Sequence, residues 1–244
     1  MQGVRWLFFD LGNTLVSEEA AAACRIERLV KALARCGRHY STGEVRLAFE
    51  KAWAQFAPRP FLAVIEQLVD DPASRQAVAS EAPYPKELEV PYAEAEAVLR
   101  RLSAFYKIGV IANQSVSSTD RLTEWGLMPY ISTCLCSSEL GIEKPAPAIF
   151  QMALDRARCA GSEALMIGDR LDNDIRPARV LGWKTVRILK GYACFQNPRD
   201  RFDEPDATIA QLTDLFSLFA GPDRVNLPAA HQSQSTSFTR SRGR

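Results

Sequence analysis

The sequence predicts an α/β protein, a doubly wound parallel sheet with helices on both faces and one helical insert. Three observations carry that prediction. Short apolar runs of strand length recur at residues 6–9, 108–112, 131–136, 164–167 and 185–188. From residue 92 onward these runs alternate with helical patterns at about 93–102, 118–126, 146–157 and 175–182, the pattern of strand–helix–strand units. The first run, Trp6-Leu7-Phe8-Phe9, is apolar at every position, as a strand covered on both faces must be. A last strand at 206–209 and a helix at 210–219 complete the predicted body.

Between the first strand and this alternation the period changes. Ile26, Leu29, Val30 and Leu33 recur at three- and four-residue spacing, as do Val45, Ala48, Phe49, Ala52, Trp53 and Phe56. Ser41-Thr42 ahead of Glu44 reads as a helix start, and a third helical run over 61–69 ends at Asp70-Asp71-Pro72. Pro83-Tyr84-Pro85 then breaks the pattern. The domain reading is therefore a core of residues 1–17 and 92–220, a helical insert of 18–91, and a polar, arginine-bearing tail of 221–244 that is expected to be disordered.

Composition excludes several classes of function. A formal net charge of +1 gives no bulk attraction to nucleic acid or an anionic membrane. No apolar run approaches the roughly 20 residues that span a bilayer, and the amino terminus does not read as a secretion signal. The expectation is a cytoplasmic protein acting on a small molecule. Its six scattered cysteines are expected to be reduced, and Cys134-Leu135-Cys136 has no histidine or second pair to complete a zinc site.

Four segments carry chemistry. The first strand ends in Asp10, followed by the tight turn Leu11-Gly12-Asn13-Thr14. The run 108–112 ends in Asn113 and Gln114, which with the turn amides could hold an oxyanion. Lys144 directly precedes Pro145, which biases it toward an extended backbone and fixes where its charge points. The run 164–167 opens into Gly168-Asp169-Arg170-Leu171-Asp172-Asn173-Asp174, three acids within six residues that need a cation to offset them. Hard oxygen donors of this kind suit Mg²⁺ better than zinc.

The order and spacing of Asp10, Asn113, Lys144 and Asp169 with Asp174 resemble the four motifs of the haloacid-dehalogenase-like hydrolase superfamily, and the resemblance spans residues 4–219. It implies a Rossmann-like core with a helical cap inserted after the first motif, where the 18–82 insert lies. It further implies that Asp10 is a nucleophile forming an aspartyl-phosphate and that Lys144 steadies the nucleophile and the phosphoryl oxygens. Asn113, Gln114 and Gly12 would contact phosphate. Mg²⁺ would be held by Asp10, the backbone carbonyl of Gly12, Asp169 and Asp174.

Two positions depart from the family pattern. The aspartate usual two residues after the nucleophile, a general acid and then base, is Gly12 here, and the Ser or Thr before Asn113 is Ala112. A general acid contributes about 10²–10⁴-fold, so without one the rate is expected to fall steeply as the leaving-group pKa rises. The missing hydroxyl costs about 1 kcal/mol. These departures keep open a metal-independent 2-haloacid dehalogenase, whose halide leaves unprotonated, and a degenerate binding module. In the insert Trp53, Phe56, Arg59 and Phe61 read as packing or surface rather than pocket.

Overall fold

The computed structural model describes residues 2–114 and 118–219. The first strand, β1 (Trp6–Phe9), leads through the Asp10 turn to β2 (Val16–Ser17), which pairs antiparallel with β3 (Val90–Pro91). This two-stranded ribbon brackets four helices: α1 (Glu19–Arg35), α2 (Thr42–Ala54), α3 (Pro60–Leu68) and α4 (Pro72–Glu81). They bury a cluster of their own, with Ile26, Leu29, Leu33, Val45, Phe49, Val64, Ile65 and Val78 at its centre. Ser41 and Glu44 form the expected capping box on α2.

The third helical run ends ahead of Asp70-Asp71-Pro72 as read, and a fourth helix, α4, that the reading lacked starts from it. Asp71 accepts from the Ser74 N–H and Pro72 opens the helix, so the same residues that end α3 start the next helix.

After the ribbon come α5 (Ala95–Ser103), β4 (Lys107–Ala112), α6 (Ser118–Glu124), β5 (Thr133–Cys136), α7 (Ser137–Leu140) and α8 (Pro147–Ala157). The chain continues through β6 (Ala164–Gly168), a wide π turn at Leu171–Ile175, α9 (Arg176–Val180), β7 (Lys184–Ile188), β8 (Ala207–Ile209) and α10 (Leu215–Phe219). The six long strands pair in parallel in the order β5-β4-β1-β6-β7-β8. This is the α/β architecture expected from the alternation.

Alternate residues of β1 explain its unbroken apolarity. Leu7 and Phe9 enter one buried cluster with Val110, Ile167 and Val186, whereas Phe8 enters the opposite cluster with Ile111, Met166 and Phe150. Trp183 closes the second face, its ring 4.9 Å from Phe8 and 5.7 Å from Phe150. No helix among the described residues is long and apolar enough to cross a membrane. The tail expected beyond residue 220 lies outside the described residues, as do the turn amides at 115–117.

Candidate active site

Strand order explains why residues far apart in sequence meet. Because β1 lies between β4 and β6, Asn113, Asp10 and Asp169 leave the carboxyl ends of three adjacent strands, where open parallel sheets present their ligand-binding groups. The Asp10 N–H donates to the Ile167 carbonyl at 2.8 Å, which carries the ladder one residue past the strand and holds the carboxylate at its end.

Lys144 arrives from the loop between α7 and α8, and its ammonium is the centre of the site. Nζ donates to Asp10 Oδ1 and to Asp174 Oδ1, each at 2.6 Å. The Lys144 side chain is 2% exposed, that of Asp174 1% and that of Asp10 13%, so Asp10 is the member that solvent reaches. Burial alone would lower the pKa of Lys144, but the charges of Asp10 and Asp174 outweigh it and hold the ammonium above its usual range.

The cluster remains short of positive charge. Ligand oxygens of Asp10, Asp169 and Asp174 lie within 4.8 Å of one another, with one ammonium among them. Burial, then the charges of Asp10, Asp174 and Glu18, push Asp169 well above the usual carboxylate range, and Arg170 opposes this only weakly. Asp174 is also raised, first by burial, against the pull of Lys144. Three buried oxygen donors with an uncompensated negative charge fit a small hard dication such as Mg²⁺.

Two neighbouring residues have partners that the sequence did not show. Asp172 stands outside the acid cluster, because Arg170 grips it through Nε at 3.1 Å and Nη2 at 2.6 Å, while Gln196 Nε2 donates to its Oδ1 at 3.0 Å. That pairing holds Asp172 below its usual pKa despite burial. Asn113, expected at the phosphate, spends its carboxamide on the backbone of Lys144: Oδ1 accepts from the Lys144 N–H and Nδ2 donates to its carbonyl, both at 2.8 Å. It clamps the lysine. The Gln114 N–H donates to Ser137 Oγ at 3.1 Å.

The sequence also left two positioning devices unread. A Cβ built on Gly168 would fall 2.5 Å from Asp174 Cγ, so only glycine lets that carboxylate lie against the end of β6. Gly168→Ala is expected to displace Asp174, lowering stability by about 1–3 kcal/mol and removing most turnover; denaturant unfolding and a rate assay check both. Arg187, buried on β7, donates to the carbonyls of Ala193 and Gln196 at 2.6 and 2.9 Å and fixes the turn at Tyr192–Phe195.

That turn is one wall of a cavity of about 950 Å³ between the helical insert and the sheet. Its lining includes Asn13 from the Asp10 turn, Glu18 at the start of the insert, and Arg25, Arg46, Trp53, Arg59 and Phe61 from further along the insert. The expectation that Trp53, Arg59 and Phe61 serve only packing or surface is thus corrected. Phe56 does not line it and instead lies under Arg199, 3.9 Å from the guanidinium. The Arg25 guanidinium stacks 3.3 Å over the Phe61 ring, and Arg170 of the core sits 4.8 Å over Trp53 of the insert.

Fold and site define a hydrolase of the α/β class. The chain belongs to the haloacid dehalogenase-like hydrolases, whose family model matches residues 4–182. It is 28% identical over 225 residues to a glyceraldehyde 3-phosphate phosphatase of Methanopyrus kandleri, covering 88% of this chain and 97% of that one. It is 32% identical to a phosphoserine phosphatase of Thermus thermophilus, over 68% of this chain and 66% of the relative. Among solved structures it resembles the HAD-hydrolase YfnB of Bacillus subtilis, with 19% identity, a TM-score of 0.66 and coverage of 90% of this chain and 100% of that one. It also resembles a 2-haloacid dehalogenase of Pseudomonas syringae, with 24% identity, a TM-score of 0.56 and coverage of 89% and 98%. These two likenesses show a shared fold.

Proposed function

We propose that the chain is a Mg²⁺-dependent phosphatase of small phosphorylated metabolites working through an aspartyl-phosphate on Asp10. The observation that carries the reading is the Lys144 ammonium held between Asp10 and Asp174, with Asp169 in the same buried cluster. Asp10, Asp169 and Asp174, with the Gly12 carbonyl, would hold the metal, which supplies positive charge to the phosphoryl oxygens and so lets an anionic ester approach a carboxylate. Lys144 adds a fixed positive charge at the nucleophile and orients the Asp10 oxygen that is left free to attack. Asn113 keeps the Lys144 backbone in place. The insert's arginines, Arg25, Arg46 and Arg59, give the cavity cationic groups suited to a second anionic or polar part of the substrate.

The buried acid cluster favours this reading over the dehalogenase one, because it is suited to a metal and a halide leaving group needs none. The test is a panel of phosphorylated metabolites, glyceraldehyde 3-phosphate and phosphoserine among them, scored for phosphate release with Mg²⁺ and with chelator. Chloride release from 2-haloacids without metal would contradict the proposal. A second expected result needs no turnover. At a hundred-fold excess over its Kd, Mg²⁺ should stabilise the chain by roughly 2–3 kcal/mol, read as a rise in melting temperature, and Asp169→Asn should abolish most of that rise.

A further inference from the structure

The place vacated at Gly12 is filled. A Cβ built on Gly12 would lie 2.9 Å from the Glu18 carboxyl carbon and closer still to its Oε1, far inside any non-bonded contact. An aspartate's own carboxylate oxygen sits about 2.4 Å from its Cβ, given ordinary bond lengths. A carboxylate from eight residues beyond Asp10 therefore lies in the space that a side chain at position 12 would enter.

Glu18 is not spent on its own helix. It occupies the N-cap of α1, where an acidic side chain ordinarily accepts from the first turn, yet it makes no such bond. Instead Oε2 accepts from Asn13 Nδ2 at 2.9 Å. Asn13 stands in the left-handed region at φ 50°, a conformation asparagine tolerates, which presents its side chain to Glu18 from within the nucleophile turn. Both residues line the cavity that opens toward the insert. The carboxylate is thus anchored through one oxygen beside the nucleophile turn and faces the space a substrate would enter.

We propose that Glu18 is the general acid–base of the reaction, supplied from the start of the helical insert in place of the side chain missing at Gly12. The proposal rests on the phosphatase reading above. In the first displacement an Asp10 oxygen forms a bond to phosphorus, the bond from phosphorus to the ester oxygen breaks, and that oxygen keeps the electron pair and takes the proton from Glu18. In the second, Glu18, now a carboxylate, takes a proton from water as the water oxygen bonds to phosphorus. The bond from phosphorus to Asp10 then breaks, its electron pair returns to the Asp10 carboxylate, and inorganic phosphate leaves.

The test compares the wild-type chain with Glu18→Gln on aryl and alkyl phosphates of rising leaving-group pKa. The wild type should show a shallow dependence. Glu18→Gln should show a steep one, with kcat on an alkyl phosphate lowered about 10²–10⁴-fold and KM little changed. With 4-nitrophenyl phosphate the variant should also accumulate covalently phosphorylated chain, seen by intact mass after acid quench, because its second displacement lacks a base. Glu18→Ala with Gly12→Asp should recover much of the lost rate, since removing the glutamate opens room for the new carboxylate. Recovery also excludes misfolding as the cause of the loss, and an unchanged inhibition constant for inorganic phosphate checks the same point. Glu18→Gln with wild-type kcat and slope overturns the assignment alone. A wild-type chain that releases no phosphate with Mg²⁺ overturns the phosphatase reading and the assignment with it.

Discussion

Asp10→Asn is expected to lower turnover by about 10⁴-fold or more while leaving the fold intact or more stable. The two halves of that expectation have one cause. Asp10 belongs to a cluster of three carboxylates, two of which pair with the one ammonium, so exchanging it for an isosteric amide removes like-charge repulsion. Lys144 keeps Asp174 as its partner at 2.6 Å. What the variant loses is the only carboxylate of the three whose side chain solvent reaches appreciably beside Lys144, hence the one placed to attack. Phosphate release together with a thermal melt separates this outcome from unfolding, which would lower both.

Lys144→Met is expected to fail in both respects. The side chain is enclosed, and its loss leaves Asp10 and the buried Asp174 without their shared cation, beside Asp169. Breaking a buried pair in this way costs about 3–5 kcal/mol, which for a chain of this size is a fall of roughly 10 °C in melting temperature. Turnover should drop by about 10³-fold or more, the scale seen when a fixed charge on a transferring phosphoryl group is lost. Added Mg²⁺ should recover more of the stability in this variant than it adds to the wild type, since it restores positive charge to the acids. Turnover should not recover with it.

The frame of the candidate site was legible because it lies at strand ends. An apolar run that stops at an acid is visible in sequence, and the rule that parallel strands present ligand-binding groups at their carboxyl ends then gathers Asp10, Asn113 and Asp169 without further information. What each side chain does there was less legible, because the partner is distant. Asn113 reads as a phosphate contact, and its bonds to the backbone of Lys144, 31 residues later, are not visible in the sequence. Asp172 is the exception: Arg170 is only two residues away, and the pair could have been read from the sequence.

Local patterns carried more than one meaning in two other places. Asp71-Pro72 has the composition of a stop and of a start, and both are true, since α3 ends and α4 begins there. Trp53 and Phe61 each sit in a helical run and pack, yet both residues also line the cavity, because the insert's buried stripe continues into its lining. Glu18 was hidden for a related reason. An acid ahead of a helix reads as a cap, and only the fold brings its carboxylate beside Gly12 rather than onto its own first turn. The sequence alone therefore predicts a steep dependence on leaving group, whereas the placement of Glu18 predicts a shallow one.

The central claim is that phosphate passes through Asp10, and locating the phosphoryl group tests it most directly. The chain is mixed with Mg²⁺ and an aryl phosphate, quenched in acid, digested and analysed by mass spectrometry. The phosphoryl group should lie on the peptide that carries Asp10, and Asp10→Asn should carry none. Steady phosphate release with that peptide unmodified, or with the phosphoryl group on another residue, would contradict it.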